Sequence, residues 1–473
     1  MADPEADVDV RERNGVRLRV QKSVARGGWA AFVLFAVFAF GVFLFTFATV
    51  HRGRATALDT NFFSQRSRQI ITYWREHGYL ESGGLMPFSS AFWSGPPEKL
   101  VFYRSSTGGY MISGYVIERV AMALTGRYHP LLLAIHNELM MLISAALGAL
   151  LVDRLLIRIG LRTVDAVMLT CAAELVFLTF PEVQAQYWEL YAQPAALPFA
   201  FLFLLLDGPN VRSARVRAAQ GAAAFVLVYF EFILGFFFLA SYAAFSLLAT
   251  EPRPKVRALL TKAALPAAAA LILFAAQLAY VRARHPEVPL EGTSFMARTG
   301  LDGDVQYYRD HRDILAGRDL AARNFPPNSK LLFRWPSLLI AGILATGFVI
   351  VAGTVQRRLR PILCVVTSFV GGYVLYAALF SQAVVIHPYL YDLVIATPLI
   401  FSLFAFAPAI LEVRRSTTGV MPLVVAFVAI WYSMVQLRAY SVWYPLPQTK
   451  AAAWRDSAHG LPARAAMRSA SRG

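Results

Sequence analysis

Charge is what this chain has least of. Only 16% of its residues are Asp, Glu, Lys or Arg, against 57% that are hydrophobic, and its mean hydropathy is +0.50. That balance excludes an ordinary soluble globule. Cysteine is nearly absent: Cys171 and Cys364 both fall inside apolar runs, which argues against a disulfide framework and against a cysteine metal site. There is no internal repeat of the kind that marks many transporters. There is also no glycine loop able to cradle a phosphate, because "STGG" at 106–109 is too short. Acidic residues are outnumbered by basic ones, for a formal charge of +16 over 473 residues. The excess lies in short clusters between apolar runs, not in one patch or stripe, so nucleic acid is not an expected partner. These properties belong to a multi-pass membrane protein, with the lipid bilayer as its surroundings.

The first apolar segment, 28–50, follows a basic N-terminus at 1–27. It exceeds the apolar region of a signal peptide, lacks a small-residue cleavage site and reads as a retained helix. Further spans read as 130–152, 164–181, 193–206, 218–230, 232–249, 260–281, 335–355, 361–381, 389–411 and 419–437, about eleven in all. Alternate connections carry Arg154, Arg158 and Arg162, then Arg212, Arg215 and Arg217, then Arg253, Lys255 and Arg257, then Arg357, Arg358 and Arg360, then Arg414 and Arg415. The positive-inside rule makes all of them cytoplasmic. It also requires the run 218–249 to cross twice, turning near Tyr229 and Glu231. The segment 108–126, with Glu118 and Arg119, reads as a membrane-surface or partly inserted helix. The expected fold is an all-α polytopic membrane protein whose outer loops carry short surface helices. It divides into an N-terminal transmembrane module at 28–281 with its first outer loop at 51–129, an outer loop at 282–334, C-terminal helices at 335–437, and a partly disordered outer tail at 438–473.

Three carboxylates, Glu138, Glu174 and Glu231, fall in or beside spans, where each costs roughly 2.5–3.5 kcal/mol to insert. A helix–helix hydrogen bond or salt bridge is the simplest role for each, and a proton or ion path the alternative. The outer loops gather Asp59 after the first span, Glu182 and Glu189 in "PEVQAQYWELYAQP", Lys99, Tyr103 and Arg104 in "EKLVFYRSSTGGY", and His387, Tyr389, Tyr391 and Asp392 in "VVIHPYLYDL". Acidic, basic and aromatic residues thus abut span ends on one side of the membrane.

With its single inside-to-outside helix, acidic start to the first outer loop and surface helices before the second span, the chain resembles the GT-C superfamily of integral-membrane glycosyltransferases. The glycine-led run at 217–248 and the segment "HPYLYDLVIATPLIFSLFAFAP" at 387–408 continue the likeness. The run "FYRSSTGGYMISGYV" departs from the proline-proline-leucine-tyrosine frequent in the family, so no subfamily is identified. The resemblance implies a bacterial inner membrane location, with the active site facing the periplasm. It implies a polyprenyl-phosphate sugar as donor and an envelope glycan or lipid as acceptor. Asp59 matches the family's catalytic base, and Glu189 a second acidic residue, with Glu182 the weaker choice for it. His387 stands where a basic residue often meets the lipid phosphate.

The chemistry suits these types. A carboxylate such as Asp59 removes the acceptor proton as general base. Cations such as Arg104, His387 and Lys99 receive the charge that develops on the leaving phosphate. Glu182, Tyr103, Trp188 and Tyr389 are candidate substrate contacts, and Trp74, Trp93, Tyr187 and Trp188 either stack on substrate or anchor the interface. No cofactor is required; a divalent metal held by Asp59 and Glu189 stays open. Two rivals remain: a polysaccharide polymerase or ligase using a lipid-pyrophosphate donor, with Arg309 and Arg312, and a lipid-linked glycan transporter or flippase.

Overall fold

The computed structural model describes residues 28–51, 62–89, 100–103, 108–127, 131–186, 192–207, 213–249, 256–291, 336–380, 392–415 and 419–443. Its elements are, in chain order, α1 (Gly28–Val50), α2 (Phe62–His77), β1 (Met86–Ser89), β2 (Leu100–Tyr103) and α3 (Gly109–Thr125). Then come α4 (Leu131–Arg158), α5 (Thr163–Thr179), α6 (Pro181–Gln186), α7 (Ala192–Leu205), α8 (Ala214–Phe230) and α9 (Phe232–Ala249). The rest are α10 (Val256–Arg284), β3 (Leu290–Glu291), α11 (Pro336–Val355), α12 (Arg360–Leu379), α13 (392–415) and α14 (Val420–Trp443).

Over the described residues, every segment read from the sequence as a span is helical apart from residues at its ends. Among the described residues six helices are long and apolar enough to cross a membrane, and three further apolar helices are shorter. α7 has 14 residues, which reach only about 21 Å. The helices are sorted by composition. α5 is buried along most of its length after its first turn, whereas α14 buries one stripe, Ala429, Tyr432, Ser433, Gln436 and Leu437, and exposes Val424, Phe427, Val428 and Trp431. An apolar stripe turned outward in this way suits lipid, not water.

The long run 214–249 breaks where the alternating basic clusters require. Glu231 leaves the helical conformation at φ −140° and ψ 86°, and the chain reverses. Gly235 makes the reversal possible, since a Cβ there would stand 2.8 Å from the Cα of Val228. Gln220 on α8 and Tyr242 on α9 both reach Asp207, so the two helices lie side by side as a hairpin.

Two ends of the bundle are distinct. At one, α4 passes to α5 through Gly160 at φ +106°, a conformation glycine adopts without Cβ strain, and Arg162 clasps Asp165 by two hydrogen bonds of 2.6 and 3.0 Å. Arg158, Arg215, Arg257, Arg357, Arg358 and Arg414 sit at element ends on this side. At the other end lies a small sheet in the order β1-β2-β3. β1 pairs antiparallel with β2, Met86 opposite Tyr103, and β2 pairs parallel with β3, Phe102 opposite Leu290. The other described elements are helices, as expected of an all-α membrane protein, and this small sheet is a detail that the sequence did not show. α14 also continues to Trp443, beyond the expected start of the tail at 438.

Candidate functional site at the sheet end

The outer assembly is built on Trp74. Its side chain is fully buried among Ile70, Ile71, Met86 and Met111, and its Nε1–H donates to the Leu85 carbonyl at 3.1 Å. Tyr79 and Tyr115 meet it edge-on, with centroids 4.9 and 5.8 Å away. Trp74 is therefore neither a stacking platform for sugar nor an interface anchor, a correction to the sequence reading: packing against α3 and the sheet has taken it out of reach.

Glycines let this assembly sit directly on the bundle. A Cβ at Gly108 would be 2.5 Å from the Gly84 carbonyl oxygen, and one at Gly109 would be 2.5 Å from that of Tyr229. The tip of the α8–α9 hairpin is thus clamped beneath α3. Beside it Gln277 of α10 donates to the Tyr229 hydroxyl at 2.7 Å, and the Tyr79 hydroxyl lies 3.3 Å from the same oxygen. Burial first, then Tyr229, raises the Tyr79 phenol well above its ordinary range.

Two charged contacts complete the frame. Arg75 of α2 donates to the Glu118 carboxylate of α3 at 3.1 Å. Glu118 is 2% exposed and its second oxygen has no partner among the described residues. Burial pushes its carboxyl above the usual range, and Arg75 offsets only part of that shift. Across the sheet, His285 Nε2 lies 3.1 Å from the Glu81 carbonyl and 3.5 Å from its carboxylate, joining the end of α10 to the turn before β1.

Beneath the frame lie buried polar side chains without partners among the described residues. A Cβ at Gly148 would touch the Phe201 ring at 2.9 Å, which registers α4 against α7. At 1.5 Å per residue this puts Gln193 about one turn deeper than His136, both near the sheet end. Each is 1% exposed, and neither ring nitrogen of His136 nor either amide atom of Gln193 has a partner among the described residues. The sequence reading missed both. Their signal was a polar residue near the start of an apolar span, and Glu138 drew the attention there instead.

Of the residues chosen from sequence, Asp59, Lys99, Arg104, Trp188, Glu189, His387 and Tyr389 lie outside the described residues, as do Trp93, Tyr187, Arg309 and Arg312. Tyr103 is the last residue of β2 and Glu182 belongs to α6, while Asp59 precedes α2 by three positions in sequence, and Lys99 and Arg104 flank β2. Among the described residues no group of three or more His, Cys, Asp or Glu side chains converges as metal ligands. Compared with family models and with curated proteins, the chain matches none.

Proposed function

We propose that the chain is a membrane glycosyltransferase that moves a monosaccharide from a polyprenyl-phosphate donor to an envelope glycan or lipid acceptor. The observation that carries this reading is the pairing of β2 with β3. It joins two loops far apart in sequence over the end of the bundle opposite the arginine clusters. By the positive-inside rule that end faces away from the cytoplasm. In this topology the chain crosses the bacterial inner membrane eleven times, the short α7, α8 and α9 among the crossings, and the active site opens to the periplasm.

In the reaction an acceptor hydroxyl attacks the anomeric carbon, the bond from that carbon to the phosphate oxygen breaks, and a glycosidic bond forms. Asp59 takes the hydroxyl proton, with Glu189 as the second acidic group of the site. Arg104, Lys99 and His387 balance the charge on the departing lipid phosphate. Tyr103, Trp188, Tyr389 and Glu182 line the sugar path. Support for this cast comes from its flanks: Lys99 and Arg104 bracket the central strand, and Asp59 leads into the helix that carries Trp74 and Arg75. One feature favours the transport alternative, the buried carboxylate of Glu174, which has no partner among the described residues.

Mass spectrometry of envelope glycans and lipid-linked sugars tests the reading, in a deletion strain complemented with wild type or Asp59→Asn. The expected result is a variant that reaches the membrane normally, lacks one sugar that wild type restores, and accumulates the lipid-linked donor. Full restoration by Asp59→Asn sinks Asp59 as base and turns the choice toward transport.

A further inference from the structure

The turn between α2 and β1 rests on the end of α10. A Cβ at Gly83, which has φ +56°, would stand 2.9 Å from both the Tyr280 ring and a Val281 methyl, so turn and helix touch directly. His285 closes α10, its backbone N–H donating to the Val281 carbonyl at 2.8 Å, and the Val288 N–H returns to the His285 carbonyl at 3.1 Å. That reversal delivers Pro289, whose carbonyl accepts from the Phe102 N–H at 3.0 Å, and then β3. The imidazole of His285 therefore sits where the chain leaves the bundle and joins the sheet.

Both nitrogens of that ring meet carboxylates. From the turn before β1, the Glu81 carbonyl oxygen lies 3.1 Å and the Glu81 carboxylate 3.5 Å from Nε2. From the chain just beyond, Glu287 Oε1 lies 3.9 Å from Nδ1. Arg284, the last residue of α10, reaches the same Glu81 oxygen at 3.8 Å. β2 contributes the uncharged ring of Phe102, with centroids 5.5 Å apart. From α2, Tyr73 meets Phe102 edge-on at 6.4 Å and His77 stacks on Tyr73 at 4.2 Å, so the second histidine reaches the first through two intervening rings.

This arrangement fixes which nitrogen titrates. Nε2 faces two acceptors, so it carries a hydrogen whether the ring is neutral or charged. Nδ1 is the nitrogen that gains or loses the proton. Without it, Nδ1 turns a lone pair toward the Glu287 carboxylate and repels it. With it, the ring is a cation that attracts Glu287 on one side and Glu81 on the other. Histidine is the side chain that changes charge between about pH 5 and 8, a range in which glutamate side chains are ordinarily ionised. Arg284 keeps its charge throughout and adds nothing to the change. We infer that His285, Glu81 and Glu287 form a proton-operated clasp that tightens the junction of β2 with β3 as the surrounding medium acidifies. The clasp does not depend on the reaction proposed at the sheet end.

The test is amide hydrogen exchange of the purified full-length protein in detergent, read by mass spectrometry, with each rate divided by the intrinsic rate at that pH. Peptides over 285–291 report local opening at the clasp, and those over 159–162, at the opposite end of the bundle, report any general change. From about pH 8 to pH 5.5 we expect protection of 285–291 to rise about three- to tenfold, with 159–162 level. His285→Gln keeps a donor for the Glu81 carbonyl but cannot titrate, and should abolish the rise. Glu287→Gln should cut it by roughly half or more, and His77→Gln should leave it intact. Wild-type protection that does not change with pH overturns the clasp. So does a rise that survives His285→Gln, one shared equally by 159–162, or one lost in His77→Gln. If His285→Gln fails to fold, Glu287→Gln decides, because that side chain is 71% exposed and its replacement costs the fold little. An unchanged rise in Glu287→Gln then overturns the proposal.

Discussion

Replacing Lys262 by methionine should loosen the α8–α9 hairpin from its far end. Lys262 lies in the π-helical stretch Leu260–Ala264 near the start of α10, and its Nζ sits 2.7 Å from Asp207 Oδ1. Asp207 follows α7. Its Oδ2 accepts from the Tyr242 hydroxyl of α9, and the Gln220 amide of α8 donates to Oδ1 at 3.4 Å. One carboxylate therefore ties four helices, with Lys262 as its cation. Removing one partner of a buried pair costs about 3–5 kcal/mol when the other is left stranded. Here the carboxylate is 29% exposed and keeps two neutral donors, which lowers the figure to about 2–3 kcal/mol, or roughly 30–150-fold in the unfolding equilibrium. Asp207→Asn alone should cost less, about 1–2 kcal/mol, because lysine can extend its amine toward water. Unfolding titrated with SDS in mixed micelles, followed by dye labelling of the half-buried Cys171 and Cys364, measures all three variants. The double variant should cost at least 1 kcal/mol less than the sum of the singles. Additivity within about 0.5 kcal/mol would mean the pair does not couple, and the four-helix tie would be wrong.

Gly109→Ala should destabilise by about 1–3 kcal/mol, because the new methyl meets a backbone carbonyl that cannot turn aside. Gly41→Ala, at a helical position with nothing within 4 Å, should be neutral or stabilising in the same denaturation assay. The raised carboxyl of Glu118 makes a pH prediction. Its folded form holds a proton more tightly than the unfolded one, so its contribution is fully present below the ordinary glutamate pKa of 4.5 and is lost as pH rises through the folded value. Unfolding temperatures measured across acidic to neutral pH should fall in that window for wild type, and Glu118→Gln should flatten it. An unchanged slope in the variant would assign the titration elsewhere.

The helices were legible because burial in lipid and protein demands continuous apolar runs, and the break at Glu231 was legible because arginines lay at both ends of a run too long for one crossing. The sheet was not. Its strands are four, four and two residues long, too short for alternation to register, and β2 finds β3 across most of the bundle. Trp74 misled for a related reason: aromatic content near a span end looks the same whether the ring faces lipid, sugar or a small core. The tie between Asp207 and Lys262 was not legible, since nothing in a linear pattern joins partners 55 positions apart. Glu174 was noticed, yet its expected hydrogen bond or salt bridge is absent among the described residues. A sequence shows that a carboxylate is in a span but not which side chains meet it.

The parallel partner of β2 also sets an order of events during synthesis. β1 and β2 are made before α4, whereas β3 is made only after α10. Until then the hairpin carries an open edge with unsatisfied backbone donors and acceptors, the kind of surface that recruits strands from other chains. A polypeptide that stalls between α4 and α10 would keep that edge uncovered. Closure by Leu290 and Glu291 is thus a late checkpoint in assembly, passed only by chains whose intervening helices have already delivered the end of α10 to the correct side.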